Sequence, residues 1–194
     1  QRRAARREKW CGEPGEGDPS QHILKDQILS VSNKPGVDFV VISSDIVYPS
    51  GAMKDYERKF FLPFKGLKKP VYAIPGNHDW YDALEGFAAT FFTPDAARKA
   101  MAARISSDLN ITSTNEKDIE RLVNQASFLK KEYDLPVGFQ NAPFFQVSTD
   151  HFVLLTIDTG VRRRVDSVQL AWIKAVLEAS KGKYVMALLG HPFY

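Results

Sequence analysis

Asn77, His78 and Asp79 stand in a row behind Gly76, and an apolar run at residues 70–74 leads straight into them. An amide oxygen, an imidazole and a carboxylate at neighbouring positions are hard and borderline donors suited to a divalent cation. The imidazole can also hold or release a proton near neutral pH. Gly76 allows a tight turn as the chain leaves the run. Asp45 follows a second apolar run, residues 38–43, and its two carboxylate oxygens suit the bridging of two cations. Tyr48, three residues on, brings a phenol to the same place; as a phenolate ligand it would favour trivalent iron. His191 follows a third run, residues 183–189, which Pro192 prevents from continuing. Taken singly, each has a plainer account: a polar turn for 77–79, a turn cap for Asp45, core packing for Tyr48 and a structural imidazole for His191.

What gives these residues weight together is where they stand. Near-continuous apolar runs of this length read as strands buried on both faces, as in a layered α/β protein. In open α/β sheets ligands sit beyond the carboxyl ends of the strands, so Asp45, Asn77, His78 and His191 are expected to converge on one rim. Residues 143–148 and 152–157 read as an antiparallel hairpin turning at 149–151, with Asp158 beyond it as a supporting group or a turn cap. Helical spacing marks residues 20–31, 54–64 (ending before Pro63) and 167–179, the last with a stripe of Leu170, Trp172, Ile173, Val176 and Leu177. Residues 95–133 read as two helices joined near 110–115, a lid or side insertion spanning about 93–135. The glycine-rich loop at 12–20 carries Glu13, whose carboxylate is a candidate ligand or simply part of a loop; no Walker A sequence follows it.

The 194 residues suffice for one domain with a sizeable core, and 44% hydrophobic with 25% charged residues is ordinary globular composition. A net charge of +3 makes no general case for nucleic acid, and the basic residues 1–11 read as a solvated tail. No apolar stretch approaches the ~18 residues that cross a membrane, and no apolar segment of the secretory type follows the tail. Cys11 is the single cysteine, which excludes an internal disulfide; this favours a cytoplasmic setting without deciding the compartment. The triplet Asn110-Ile111-Thr112 is a glycosylation sequon of a kind common by chance.

The ordered blocks resemble those of the calcineurin-like metallophosphoesterases, and within them the purple acid phosphatase branch. The matching motifs are Ser44-Asp45-Ile46-Val47-Tyr48, Gly76-Asn77-His78-Asp79 and His191-Pro192-Phe193-Tyr194, and the order agrees over residues 12–194. The resemblance implies an α/β fold in α+β layers, a sandwich of β-sheets flanked by helices. It implies metal-dependent hydrolysis of phosphate esters, in small molecules or proteins, at a site of two metal ions: iron, manganese or zinc. Asp45 would bridge them, Asn77, His191 and Tyr48 would bind metal, and Glu13 would stand where the family has an aspartate. His78 and Asp79 would be catalytic, His78 steadying the transition state or protonating the leaving group. The chain departs from the family in lacking a Gly-His-X-His block, in Glu13, in having no apolar run before Glu13 and in Ser44 before Asp45. The family domain is therefore expected to be incomplete here, with weak metal binding and little turnover by these 194 residues alone. The alternative is an impaired fragment or pseudoenzyme serving as a binding or regulatory domain.

Overall fold

The computed structural model describes residues 23–105 and 115–191. Helix α1 (Lys25–Ser32) leads into β1 (Val40–Ser43), whose β-branched residues suit a pleated, half-buried surface. β1 pairs in parallel with β2 (Val71–Ile74), from Val40 opposite Val71 to Ser43 opposite Ile74. Parallel strands need a crossover, here α2 (Met53–Tyr56), a π-helical turn (Glu57–Phe61) and α3 (Leu62–Phe64). Sequence spacing ended this helix before Pro63, yet the chain stays helical through it. The π turn, closed by Leu62 N–H donating to Glu57 O, shifts the hydrogen-bond register just ahead of the residue that has no N–H to give.

Helices α4 (Glu85–Phe91), α5 (Pro94–Ile105) and α6 (Glu116–Glu132) follow β2. Ala97, Met101, Ile119, Leu122, Val123, Ala126 and Leu129 of α5 and α6 are buried in the same cluster as Phe60, Phe61, Phe87 and Phe91. The α5–α6 pair thus extends the main core. Its centre is aromatic: Phe60 meets Phe91 at 5.1 Å between ring centroids, and Phe87 meets Phe91 at 4.9 Å. Asn115 caps α6 by accepting from Asp118 N, and Lys130 and Lys131 complement its carboxyl end.

A second sheet has the order β3-β4-β5 (Gln146–Ser148, Phe152–Ile157, Tyr184–Leu189). β3 and β4 form the expected antiparallel hairpin. β4 and β5 run parallel in register, joined by α7 (Ser167–Ala179), which Asp166 caps by accepting from Gln169 N. Val153, Leu155, Ile157 and Val176 make a smaller core under α7.

Two expectations fail in this half. β5 read as buried on both faces, but Tyr184 is 83% exposed and Met186 54%. An apolar run reads the same in a central strand and in one, like β5, at the end of a sheet's order. The α7 stripe is likewise only partly covered: Val176 is buried, while Leu170 and Leu177 stay exposed. No described helix is long and apolar enough to cross a membrane. The basic tail at 1–11, the 12–20 loop with Glu13, the sequon and Pro192 lie outside the described residues.

Candidate active site

The loop after β1 turns through two left-handed residues, Ser44 (φ 74°) and Asp45 (φ 43°), each costing about 1–2 kcal/mol. Hydrogen bonds from across the rim hold this strained corner. Asp45 is buried; its Oδ2 accepts from the Tyr48 hydroxyl at 2.8 Å and its Oδ1 from the His78 backbone N–H at 2.9 Å. Asp79 lies beneath, fully buried, accepting from Gly76 N and Ile46 N at 2.9 Å and from Val47 N at 3.3 Å. Sequence reading placed Asp79 among the catalytic groups. In the structure its carboxylate accepts from three backbone amides and clasps the two rim loops together. Burial, with the charge of Asp45, pushes its pKa up to about 7 against the pull of those amides.

His78 and Asn77 are half-buried on the second loop. His78 Nδ1 lies 2.6 Å from Pro49 O. A carbonyl only accepts, so Nδ1 carries the proton and Nε2 is the nitrogen left for chemistry. The ring sits between Tyr48, 4.2 Å away by centroids, and Tyr81, 4.9 Å away. Lys59, buried in the π turn, donates to Tyr48 O and so braces the segment that fixes this tautomer. Asn77 Nδ2 donates to the Tyr81 hydroxyl at 2.9 Å, and Asn77 Oδ1 faces His191 Nε2 at 3.1 Å. The far side of His191 is held by Thr159, with Nδ1 and Oγ1 2.7 Å apart.

Asn77 and His191 follow strands of different sheets, and two glycines let them meet. A Cβ on Gly190 would lie 2.8 Å from Pro75 O, and one on Gly76 would lie 2.1 Å from Asp45 Oδ1. The structure therefore brings Asp45, Tyr48, Asn77, His78 and His191 into one contiguous group; Glu13 lies outside the described residues.

Several supporting residues escaped the sequence reading. Thr159, Tyr81 and Lys59 belong to no motif, though Tyr81 stands just past Asp79 and Thr159 just past Asp158. Asp158 caps the turn, its Oδ1 accepting from Gly160 N (2.8 Å), and also accepts from Trp80 Nε1 (3.1 Å). Gln169 holds the Asp158 backbone at both N and O, at 2.9 and 2.7 Å. The Arg104 guanidinium lies over the Trp80 ring, 5.5 Å from its centroid, and burial lowers its pKa.

Asp82, three residues past Asp79, makes the stability of the fold depend on pH. Its Oδ2 accepts from Gly86 N at 3.0 Å, while its Oδ1 is buried without a hydrogen-bond partner. Burial, then the charges of Glu85 and Asp79, pushes its pKa from 3.8 to about 8. Below pH 3.8 the folded and unfolded chains both hold the proton. Between 3.8 and about 8 only the folded chain keeps it, so stability falls as pH rises through that window. The Asp82→Asn variant, neutral throughout, should flatten this slope and raise the melting temperature at pH 8. The gain is on the order of a few kcal/mol, one pKa unit being worth about 1.4. Thermal melts at pH 5 and pH 8 give the test; parallel pH slopes for both proteins would refute it.

As donors, Asp45, Asn77, His191 and Tyr48 offer carboxylate, amide, imidazole and phenol, a set that fits manganese, iron or zinc. Among the described residues no group of three or more His, Cys, Asp and Glu side chains is placed to hold a metal, so the neutral oxygens of Asn77 and Tyr48 would have to take part. The family model described as calcineurin-like phosphoesterase matches residues 18–194. Set against individual curated proteins, the chain has no significant match.

Proposed function

Because the chain belongs to the calcineurin-like phosphoesterase family, we propose that its site hydrolyses phosphate esters of small molecules or proteins with a metal-activated water. The observation that carries this reading is the meeting of Asn77 Oδ1 and His191 Nε2, 3.1 Å apart, at the loop where the His78 backbone N–H holds the Asp45 carboxylate. We read the site as dinuclear and of the purple acid phosphatase type, from the placement of Tyr48 on Asp45. Asp45 would be shared between cations, and Asn77, His191 and Tyr48 would bind one or the other. Bound there, the metals would draw charge from a phosphoryl oxygen and lower the pKa of a water.

The chain's own groups do the rest. Tyr81 fixes the Asn77 amide with its oxygen toward His191, and Thr159 fixes the His191 ring. Asp79 clasps the loops so that neither Asp45 nor His78 must be ordered when substrate arrives. His78, tied to Pro49 O through Nδ1, keeps Nε2 for the reaction; as imidazolium it donates to the phosphoryl oxygens or protonates the departing alkoxide.

A non-catalytic binding role is the second reading, favoured by the shortage of charged donors among the described residues. One experiment separates the two. On the hydrolase reading, adding manganese, iron or zinc produces turnover of p-nitrophenyl phosphate, and Asp45→Ala abolishes both turnover and metal uptake. Metal uptake without turnover would support the binding role, and neither would remove the metal site altogether.

A further inference from the structure

The turn after β4 carries Arg162, Arg163 and Arg164, and the metal-dependent reading gives them no task. The turn is built, not loose. Arg164 N donates to Thr159 O at 2.8 Å and Arg163 N to Gly160 O at 3.4 Å, with Gly160 (φ 58°) and Arg163 (φ 53°) both left-handed. Its first residues stand against the site. Thr159, at its start, holds His191 Nδ1 at 2.7 Å, and a Cβ on Gly160 would lie 3.9 Å from Trp80 Nε1, two residues past His78.

All three arginines are exposed, and among the described residues no carboxylate or other side chain pairs with them. The two nearest acids in sequence are engaged elsewhere, Asp158 with Trp80 and Gly160, Asp166 with Gln169 N. A surface run of charge usually carries interspersed opposite charge or simply faces water. Here three guanidiniums with no counter-ion among the described residues share one short turn whose first residue touches a proposed metal ligand. Guanidinium is the side chain best matched to a phosphate, through two parallel hydrogen bonds.

We propose that this turn is an anion subsite, and that the substrate is a small molecule bearing a second phosphate beside the one cleaved. The inference rests on the hydrolase reading only for the identity of the reacting phosphate. Arg164, whose amide fixes the turn, and its two neighbours take the second phosphate, while His191, Asn77 and Asp45 serve the first.

The test is calorimetric and needs no turnover. With manganese present, the protein binds pyrophosphate at least roughly tenfold tighter than orthophosphate, as one added charge-assisted contact implies. In Arg162→Ala/Arg163→Ala/Arg164→Ala, all exposed positions, the ratio drops toward one, chiefly through loss of pyrophosphate affinity. A charge-preserving triple lysine variant recovers part of it, since lysine supplies charge without the fork. An unchanged ratio in the alanine triple would overturn the proposal, as would a wild-type ratio near one. Tighter binding of a short oligonucleotide than of pyrophosphate, lost in the same triple, would also overturn it by making the turn a nucleic-acid contact. An intact pyrophosphate preference in a protein that hydrolyses no phosphoester would sink the hydrolase reading and leave the subsite standing.

Discussion

His78→Gln should lower phosphoester turnover by roughly 10²–10⁴-fold, the range lost with a positioned acid–base group, while bound metal and melting temperature stay close to wild type. The site's geometry separates these effects. The His78 backbone N–H, not its ring, donates to Asp45 Oδ1. A side-chain change therefore leaves the Asp45 carboxylate, the proposed metal ligand, in place. The ring's own tie is to Pro49 O through Nδ1, and glutamine can offer its amide N–H to the same carbonyl. What glutamine cannot do is carry a proton to a leaving oxygen. The loss should fall on kcat more than on KM, and should be larger for esters of poor leaving groups, whose alkoxides most need protonation. Steady-state kinetics on an alkyl and an aryl phosphate, with metal analysis of both proteins, makes the comparison. Full turnover by the variant would remove His78 from the chemistry; equal loss on both esters would leave it a charge-stabilising role only.

How much of this was legible before the structure depends on how local each signal was. The rim residues Asp45, Asn77 and His191 each follow an apolar run by one to three positions, and strand polarity alone sends such residues to a common edge. The hairpin, and α7 to the residue, were likewise written in local pattern. Burial was not. β5 and the α7 stripe look as apolar as β2, but their exposure depends on which neighbours they receive, and that is fixed by sheet order. The surroundings of Asp79 were hidden for a related reason. A carboxylate in a motif reads the same whether it faces solvent or is spent on Gly76, Ile46 and Val47 amides beneath it. Lys59 and Thr159 were invisible because each acts on a residue 11 or 32 positions away, through one hydrogen bond.

Gly76 makes the second large effect, and for a reason its backbone torsion does not supply. A Cβ at this position would stand 2.1 Å from Asp45 Oδ1 and 2.5 Å from Asp45 N, well inside contact distance. One of those atoms is backbone. The other belongs to a carboxylate already pinned by the Tyr48 hydroxyl and the His78 amide, while Gly76's own N–H is held by Asp79. Neither side can yield without breaking the links that join the two rim loops. Gly76→Ala should therefore cost at least about 2–3 kcal/mol, the upper part of the range for overpacking. For a chain of this size the melting temperature should fall by roughly 5–10 °C. Metal affinity should fall further than stability implies, by more than roughly tenfold, because the atom displaced belongs to the carboxylate proposed to bridge the metals. Gly182→Ala is the matched control: its site is open space, but φ is +83°, so it should cost about 1–2 kcal/mol of backbone strain and leave metal uptake alone. If Gly76→Ala melted and bound metal like Gly182→Ala, the close approach of the two loops would be wrong, and with it the placement of Asp45 beside Asn77 and His78.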